Sequence, residues 1–158
     1  VEERGDYGKQ FYIDLLYDKV VRKYKQQVCA SHNWKLEHQD EVYTVKSLAD
    51  NVYVIRYTTL QIRSTIDKIL AVATDVTLTP TLMPMSQSET LVRTITNDAV
   101  LTQVVIKCPF PLQYRDVMQI KIVRRSGDDE AVVISTSAPE AIAPKDKKYV
   151  RSELSRLR

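Results

Sequence analysis

The spacing of the apolar residues changes once along the chain, and this change limits the folds that the chain can adopt. From Lys9 to Ala30 the apolar side chains recur at helical spacing, with a charged face opposite them. After Trp34 they occur in short runs rich in Val, Ile, Tyr and Thr, which turn-forming residues separate. The spacing therefore predicts one long helix followed by strands that are neighbours in sequence, a pattern that favours antiparallel pairing.

The rest of the pattern predicts an α+β fold. Strands are expected at Trp34–Gln39, Glu41–Ser47, Asn51–Ile62, Glu89–Thr96, Ala99–Lys107, Arg115–Arg125, Glu130–Ser137 and Lys148–Leu157, with a helix at Arg63–Thr74 between the third and the fourth. Asp75–Ser88 contains two prolines and has no regular period, so it is expected to form a long loop. We expect a single domain over residues 1–158, in which a curved antiparallel sheet packs on the long helix.

Composition excludes several classes of protein. Only 3 of the 158 residues are glycine, so neither a dinucleotide-binding loop nor a phosphate-binding loop can be formed. A net charge of +3 is too balanced for a typical nucleic-acid-binding protein, and we expect no nucleic-acid partner. No apolar run approaches the length of a membrane span. Two isolated cysteines, Cys29 and Cys108, indicate free thiols in a reducing compartment, which favours the cytoplasm.

The sequence offers no recognisable catalytic or metal site. Cys29 and His32 have the spacing of two metal ligands, but a second pair that would complete a tetrahedral set is missing. Asp128, Asp129 and Glu130 lie in a predicted hairpin turn, where solvated carboxylates are expected rather than a general acid and base. We therefore expect no metal, no cofactor and no enzymatic activity.

The strand Arg115–Arg125 is the most informative segment. One of its faces carries Asp116 among apolar residues, and the other carries Gln119 and Lys121 among valines. If the second face is buried, Lys121 needs a partner, because an unpaired buried ammonium is costly. The alternative is that this face is exposed to solvent, which the periodicity alone favours.

The segment Lys107–Met118 supports an assignment to a family. Its Cys-Pro-Phe-Pro sequence, followed by Arg115 and Asp116, resembles the START domains, the StAR-related lipid-transfer family, and is most similar to the phosphatidylcholine-transfer group. The similarity continues through Val132–Ser137 and Tyr149–Arg151. The resemblance implies a helix-grip fold, in which a U-shaped sheet closes over a hydrophobic tunnel that holds one lipid without catalysis.

The resemblance also implies site residues and partners. Residues expected to line the lipid cavity are Val104, Ile106, Val117, Gln119 and Lys121, with Met83 and Met85 in a gating loop. Lys121 is expected to contact a lipid headgroup, directly or through water. The expected partners are a lipid ligand and, transiently, a membrane surface, to which basic residues near the C-terminus could contribute. The expected location is cytoplasmic and peripheral at membranes.

The sequence departs from the family pattern in three respects. The Trp-Asp pair and the neighbouring Arg that the family carries within Asp75–Ser88 are absent, and Pro80, Thr81 and Pro84 stand there instead. Val104, Val117 and Ser155 stand at the positions that would correspond to the aromatic cage for choline. The chain ends at Arg158, before the C-terminal helix that covers the tunnel in the family, so we expect a truncated domain or an open tunnel. Two alternatives stay open: a helix-grip enzyme, such as a cyclase or hydrolase, that uses the same cavity, and a protein-interaction module whose cavity its own side chains fill.

Overall fold

The computed structural model describes residues 2–26, 34–41, 43–48, 52–57, 63–128, 130–143 and 148–152. Its elements are α1 (Glu2–Tyr24), β1 (Lys35–Gln39), β2 (Tyr43–Leu48), β3 (Val52–Tyr57), α2 (Ile66–Thr74), α3 (Thr79–Leu82), β4 (Ser86–Thr96), β5 (Ala99–Ile106), β6 (Arg115–Arg125), β7 (Ala131–Ser137) and β8 (Val150–Ser152). The chain divides into a larger unit, Val1–Tyr17 with Thr65–Arg156, and a smaller one, Asp18–Ser64. Within the described ranges, no helix combines the length and apolarity that a membrane crossing requires.

The smaller unit contains the predicted meander. β1, β2 and β3 form an antiparallel sheet in that order. Two side-chain contacts stabilise its first turn: Asp40 accepts the backbone N–H of Tyr43 at 2.8 Å, and His38 lies 3.0 Å from the same carboxylate. β1 is exposed along its whole length, which explains why polar residues dominate it.

The larger unit contains a second sheet, in the order β4-β5-β6-β7. These four strands are antiparallel, as predicted. The prediction of antiparallel pairing throughout is wrong for β8, which is parallel to β6. β7 pairs with β6 only as far as Gln119, and a 3₁₀ turn at Glu140–Ile142 then returns the chain beside the start of β6. β8 therefore runs in the same direction as β6.

The core of the larger unit lies around β5 and β6. The best-buried apolar side chains are Ala99, Leu101, Ile120 and Ile122, all on these two strands, together with Ile13 of α1. The long N-terminal helix is confirmed, although it begins at Glu2 rather than at Lys9. Its predicted continuation over residues 27–30 lies outside the described residues.

Arg124 at the end of β6 connects α1 to the β4–β5 turn. Its guanidinium donates to Asp98 at 2.7 Å and to Asp14 of α1 at 2.5 Å, and it lies 4.3 Å from the centre of the Tyr17 ring. The hydrogen bond from Arg124 lowers the pKa of Asp14 below its usual range. One cation therefore stabilises two carboxylates and an aromatic ring on different elements.

The predicted loop over Asp75–Ser88 is wrong, because most of this segment has regular structure. The Asp75 carboxylate accepts the backbone N–H of Thr77 at 2.8 Å and starts a 3₁₀ turn at Val76–Leu78. Pro80 stands in the first turn of α3, where its missing N–H costs no hydrogen bond. Pro80 therefore marks the start of a short helix, and Pro84 lies in the turn that follows it.

We expect Arg124→Met to lower the free energy of unfolding by about 2 kcal/mol, because Asp98 and Asp14 both lose a charged hydrogen-bond donor. Arg125→Met is the matched control, since Arg125 and its partner Asp67 are exposed and should change stability by about 0.5 kcal/mol or less. Urea unfolding at neutral pH measures both variants. Equal losses in the two would contradict this role of Arg124.

Candidate functional site

β6 is buried on both of its faces. Every side chain from Asp116 to Ile122 is buried. On one face Val117, Gln119 and Lys121 lie opposite Val104, Thr102 and Val100 of β5, and directly opposed residues share a face. Lys121 itself is only 8% exposed, so the alternative that this face contacts solvent is wrong.

Glu89 of β4 is the partner that the buried Lys121 requires. Lys121 Nζ donates to Glu89 Oε1 at 2.9 Å, and Gln119 Nε2 donates to the same oxygen at 3.1 Å. The hydroxyl of Thr79, the first residue of α3, donates to Glu89 Oε2 at 2.5 Å. Three side chains from two other elements therefore converge on one carboxylate. We call Thr79, Glu89, Gln119 and Lys121 the polar cluster.

The hydrogen bonds of the polar cluster keep Glu89 ionised. Burial alone would raise the pKa of Glu89, but the bonds from Thr79 and Lys121 outweigh it and hold this pKa below the usual range. The nearby hydroxyl of Thr102 also favours the charged form, although its geometry falls outside that of an ordinary hydrogen bond. The polar cluster is therefore a buried ion pair with no net charge.

The structure brings together five of the predicted cavity residues. Val104, Ile106, Val117, Gln119 and Lys121 lie on one face of β5 and β6. Met83 and Met85 lie elsewhere: they connect α3 to β4 and are 59% and 68% exposed. Arg115 is exposed at the start of β6, and Asp116 is buried on the opposite face. Ser155 lies outside the described residues, as do Cys29 and His32.

A cleft of about 700 Å³ lies between α2 and the sheet face that carries Lys121. We call it the α2 cleft. Lys121 and Val123 line it from β6, Val100 and Leu91 from the neighbouring strands, and Leu70 from α2. Its charged lining residues are Asp67, Asp75, Asp98, Lys121 and Arg125. Both the volume and the mostly apolar wall with a few polar groups are typical of small-molecule sites.

A second cleft, of about 530 Å³, lies between α1 and β4. Tyr12 and Lys9 of α1 line it, together with Ile95 of β4 and Ile142 from the turn after β7. None of the predicted cavity residues lines this cleft, and of them only Lys121 lines the α2 cleft.

Asp116 has a structural role on the other face of β6. Arg151 of β8 donates to both of its carboxylate oxygens, at 2.9 and 2.8 Å, and Gln103 donates to one of them at 2.9 Å. Burial raises the pKa of Asp116, but these bonds outweigh burial and lower it overall. This bidentate pair joins β8 to β6, opposite residues in the parallel register.

Exposed apolar side chains collect at one end of the larger sheet. The backbone N–H of Lys107 donates to the Met85 carbonyl at 2.8 Å, and that of Val150 donates to the Tyr114 carbonyl at 3.1 Å. The segments before β4, after β5 and before β6 and the start of β8 are therefore neighbours there. The exposed residues of this end, which we call the sheet tip, are Leu82, Met83, Met85, Phe110, Leu112 and Val150. Two exposed cations, Lys107 and Arg115, flank them.

Comparison with solved structures identifies the fold as START-like. A STAR-related lipid transfer protein from Xanthomonas axonopodis superposes with a TM-score of 0.58 at 20% identity, over 75% of this chain and 67% of the other. Human STARD10 gives 0.66 at 18% identity, over 85% of this chain and 56% of the other. Human StAR-related lipid transfer protein 5 gives 0.66 at 13% identity, over 92% and 70%.

These similarities confirm the predicted α+β helix-grip fold. At such identities they concern the fold alone, and the chain spans little more than half of the STARD10 structure. No protein-family model matches the chain, and no curated protein sequence does.

Sequence reasoning missed Glu89 and Thr79. Glu89 lies in a run of polar residues at the start of β4, which gave no sign that one of them is buried. The available signal was Lys121, because a buried cation requires a carboxylate nearby. Among the described residues, no group of three metal-ligating side chains comes together.

We expect the free energy of unfolding to fall as the pH is lowered from about 5 to about 2. The pKa of Asp116 is lower in the folded state, so its stabilising effect is complete above the unfolded pKa and is lost as the pH falls through the folded one. Asp116→Asn should cost about 3 kcal/mol at neutral pH and should make this fall shallower. Asp67→Asn, at an exposed pair, is the control. An unchanged pH profile in Asp116→Asn would contradict the assignment.

Proposed function

We propose that this chain binds a single lipid, a phospholipid or a sterol-like molecule, and either carries it between membranes or senses it. The observation that carries the proposal is the polar cluster. In a START-like fold, it places one buried ion pair on a sheet face that also carries valines, and its Lys121 borders the α2 cleft. An apolar wall with few polar groups suits a lipid, whose chain requires the wall and whose polar end requires a hydrogen-bond partner.

We propose binding without catalysis. A general acid or base works best when its pKa lies near the working pH, and the polar cluster instead moves the pKa of Glu89 downward. The similar structures are named lipid transfer proteins, which supports the same reading. A cyclase or hydrolase in the α2 cleft is therefore the weaker alternative.

Membership of the phosphatidylcholine-transfer group is a finer proposal. It rests on the Cys108-Pro-Phe-Pro segment and on the Arg115-Asp116 pair of the sequence. Val104 and Val117, at the positions expected to cage choline, are buried aliphatic residues that offer no aromatic face to a quaternary ammonium. The proposal that the chain binds a lipid does not require membership of this subgroup.

The proposed partner surface is an anionic membrane, approached through the sheet tip. Exposed apolar side chains flanked by Lys107 and Arg115 combine the two properties that favour such a surface, namely insertion between headgroups and attraction to acidic lipids. The proposed location is accordingly cytoplasmic and peripheral, without a nucleic-acid partner.

Native mass spectrometry after incubation with lipid vesicles tests lipid binding, with uptake of a fluorescent phospholipid and a fluorescent sterol as a second readout. We expect Ala71→Trp to reduce uptake roughly tenfold or more, because the indole occupies part of the α2 cleft and obstructs a ligand there. Val72→Trp is the matched control, since Val72 is exposed on the same helix and does not line the α2 cleft. Failure of the unmodified chain to take up either lipid would refute the proposal.

We expect Phe110→Ser to reduce binding to phosphatidylserine-containing vesicles roughly tenfold, because one large apolar side chain no longer leaves water. Phe110 is 97% exposed, so the free energy of unfolding should change by about 0.5 kcal/mol or less. Gln113→Ser in the same exposed segment is the control. Vesicle sedimentation measures the effect, and equal binding by both variants would exclude Phe110 from the contact surface.

A further inference from the structure

The charge of Lys121 is already neutralised inside the protein. The side chain is about nine-tenths buried, and its ammonium forms an ion pair with Glu89 at 2.9 Å. Glu89 is itself buried and held ionised by the polar cluster. A ligand at Lys121 therefore finds hydrogen-bond donors of an ammonium but no net positive charge.

The other charges of the α2 cleft do not favour an anion either. Its lining carries three carboxylates, Asp67, Asp75 and Asp98, against two cations, Lys121 and Arg125. Arg125 donates to Asp67 at 2.7 Å, so the second cation is paired as well. Asp98 is paired with Arg124 at 2.7 Å. A phosphate group placed here would therefore find both cations of the lining already paired with carboxylates.

The hydrogen-bonding capacity of the site fits an uncharged polar group. Lys121 Nζ has three N–H donors, and its hydrogen bond to Glu89 uses one of them. A hydroxyl or carbonyl oxygen can accept from this ammonium without bringing a charge that requires compensation. The surrounding wall of Leu70, Leu91, Val100 and Val123 suits the apolar body of such a molecule.

We infer that the α2 cleft selects an uncharged lipid, whose polar end is a hydroxyl or carbonyl group that accepts a hydrogen bond from Lys121, and that Glu89 is the residue that excludes anionic lipids. This inference rests on the proposed lipid-binding function and narrows it. Glu89 acts as a specificity-determining residue because it neutralises the cation that would otherwise attract a phosphate.

The test compares diacylglycerol with phosphatidic acid of the same acyl chains, which differ only in the phosphate. Both are supplied in equal amounts in phosphatidylcholine vesicles, and native mass spectrometry measures the lipid bound to the whole chain. We expect diacylglycerol to exceed phosphatidic acid by about tenfold or more. A preference for phosphatidic acid or for phosphatidylcholine would overturn the inference but leave lipid binding intact. Binding of none of the three, together with no uptake of the fluorescent sterol, would refute the proposed function itself.

Charge variants test the role of Glu89 directly. Glu89→Gln frees the charge of Lys121 and should shift the ratio of bound phosphatidic acid to diacylglycerol toward phosphatidic acid by about tenfold. The double variant Glu89→Gln with Lys121→Met removes both charges and should restore the original preference. Glu37→Gln makes the same charge change at an exposed pair that does not line the α2 cleft and should leave the ratio unchanged.

An unchanged ratio in Glu89→Gln, or an equal shift in Glu37→Gln, would overturn the assignment to Glu89. Circular dichroism and thermal unfolding confirm that each variant is folded. If Glu89→Gln does not fold, the comparison of the two lipids on the unmodified chain still decides between an uncharged and an anionic ligand.

Discussion

Two buried charged side chains on β6 determine which other elements must pack against the larger sheet. β6 carries Asp116 on one face and Lys121 on the other, and both side chains are buried. A buried charge without a partner costs several times what a surface ion pair contributes, so neither face can form until its partner is in place. Arg151 of β8 supplies the partner on one face, and Glu89 of β4 supplies it on the other. The central strand therefore requires elements that come before it and after it in the chain.

The same requirement connects the fold to the candidate site. Glu89 accepts hydrogen bonds from β6 through Lys121 and from α3 through Thr79. The short helix is consequently joined to the sheet at the point where polar side chains interrupt the apolar face. A rearrangement of α3 would leave one oxygen of Glu89 without its donor, so the position of this helix and the ionisation of the polar cluster depend on each other.

The sequence predicts which segments form helices and strands better than it predicts which strands pair and which buried side chains contact each other. Helical spacing identified α1, and alternation identified β6 and the face that Gln119 and Lys121 share. The five predicted cavity residues of β5 and β6 came from the family resemblance. Glu89 was missed because β4 contains irregular pairing between Ser86 and Ser88 and again between Leu91 and Arg93, so alternation along β4 does not reveal which residues point inward. The parallel pairing of β8 was missed because it depends on the pair between Asp116 and Arg151, which are far apart in the sequence. The family resemblance implied the fold but could not name the partner of Lys121.

The position of the polar cluster along β6 gives a second reason for the proposed preference for uncharged over anionic lipids. The sheet tip lies at the Arg115 end of the strand, and Lys121 lies six positions further, which corresponds to about 20 Å at the rise of an extended strand. Val104, Val117 and their neighbours occupy the stretch between them. In the proposed function, a lipid that enters from a membrane at the sheet tip would take its polar end past these buried side chains, which do not line the α2 cleft, to reach Lys121. A hydroxyl or carbonyl group would lose few hydrogen bonds with water on such a path, whereas a phosphate would have to give up the hydration of a full charge before any donor replaces it. The proposed path and the neutralised charge of Lys121 therefore favour the same class of ligand.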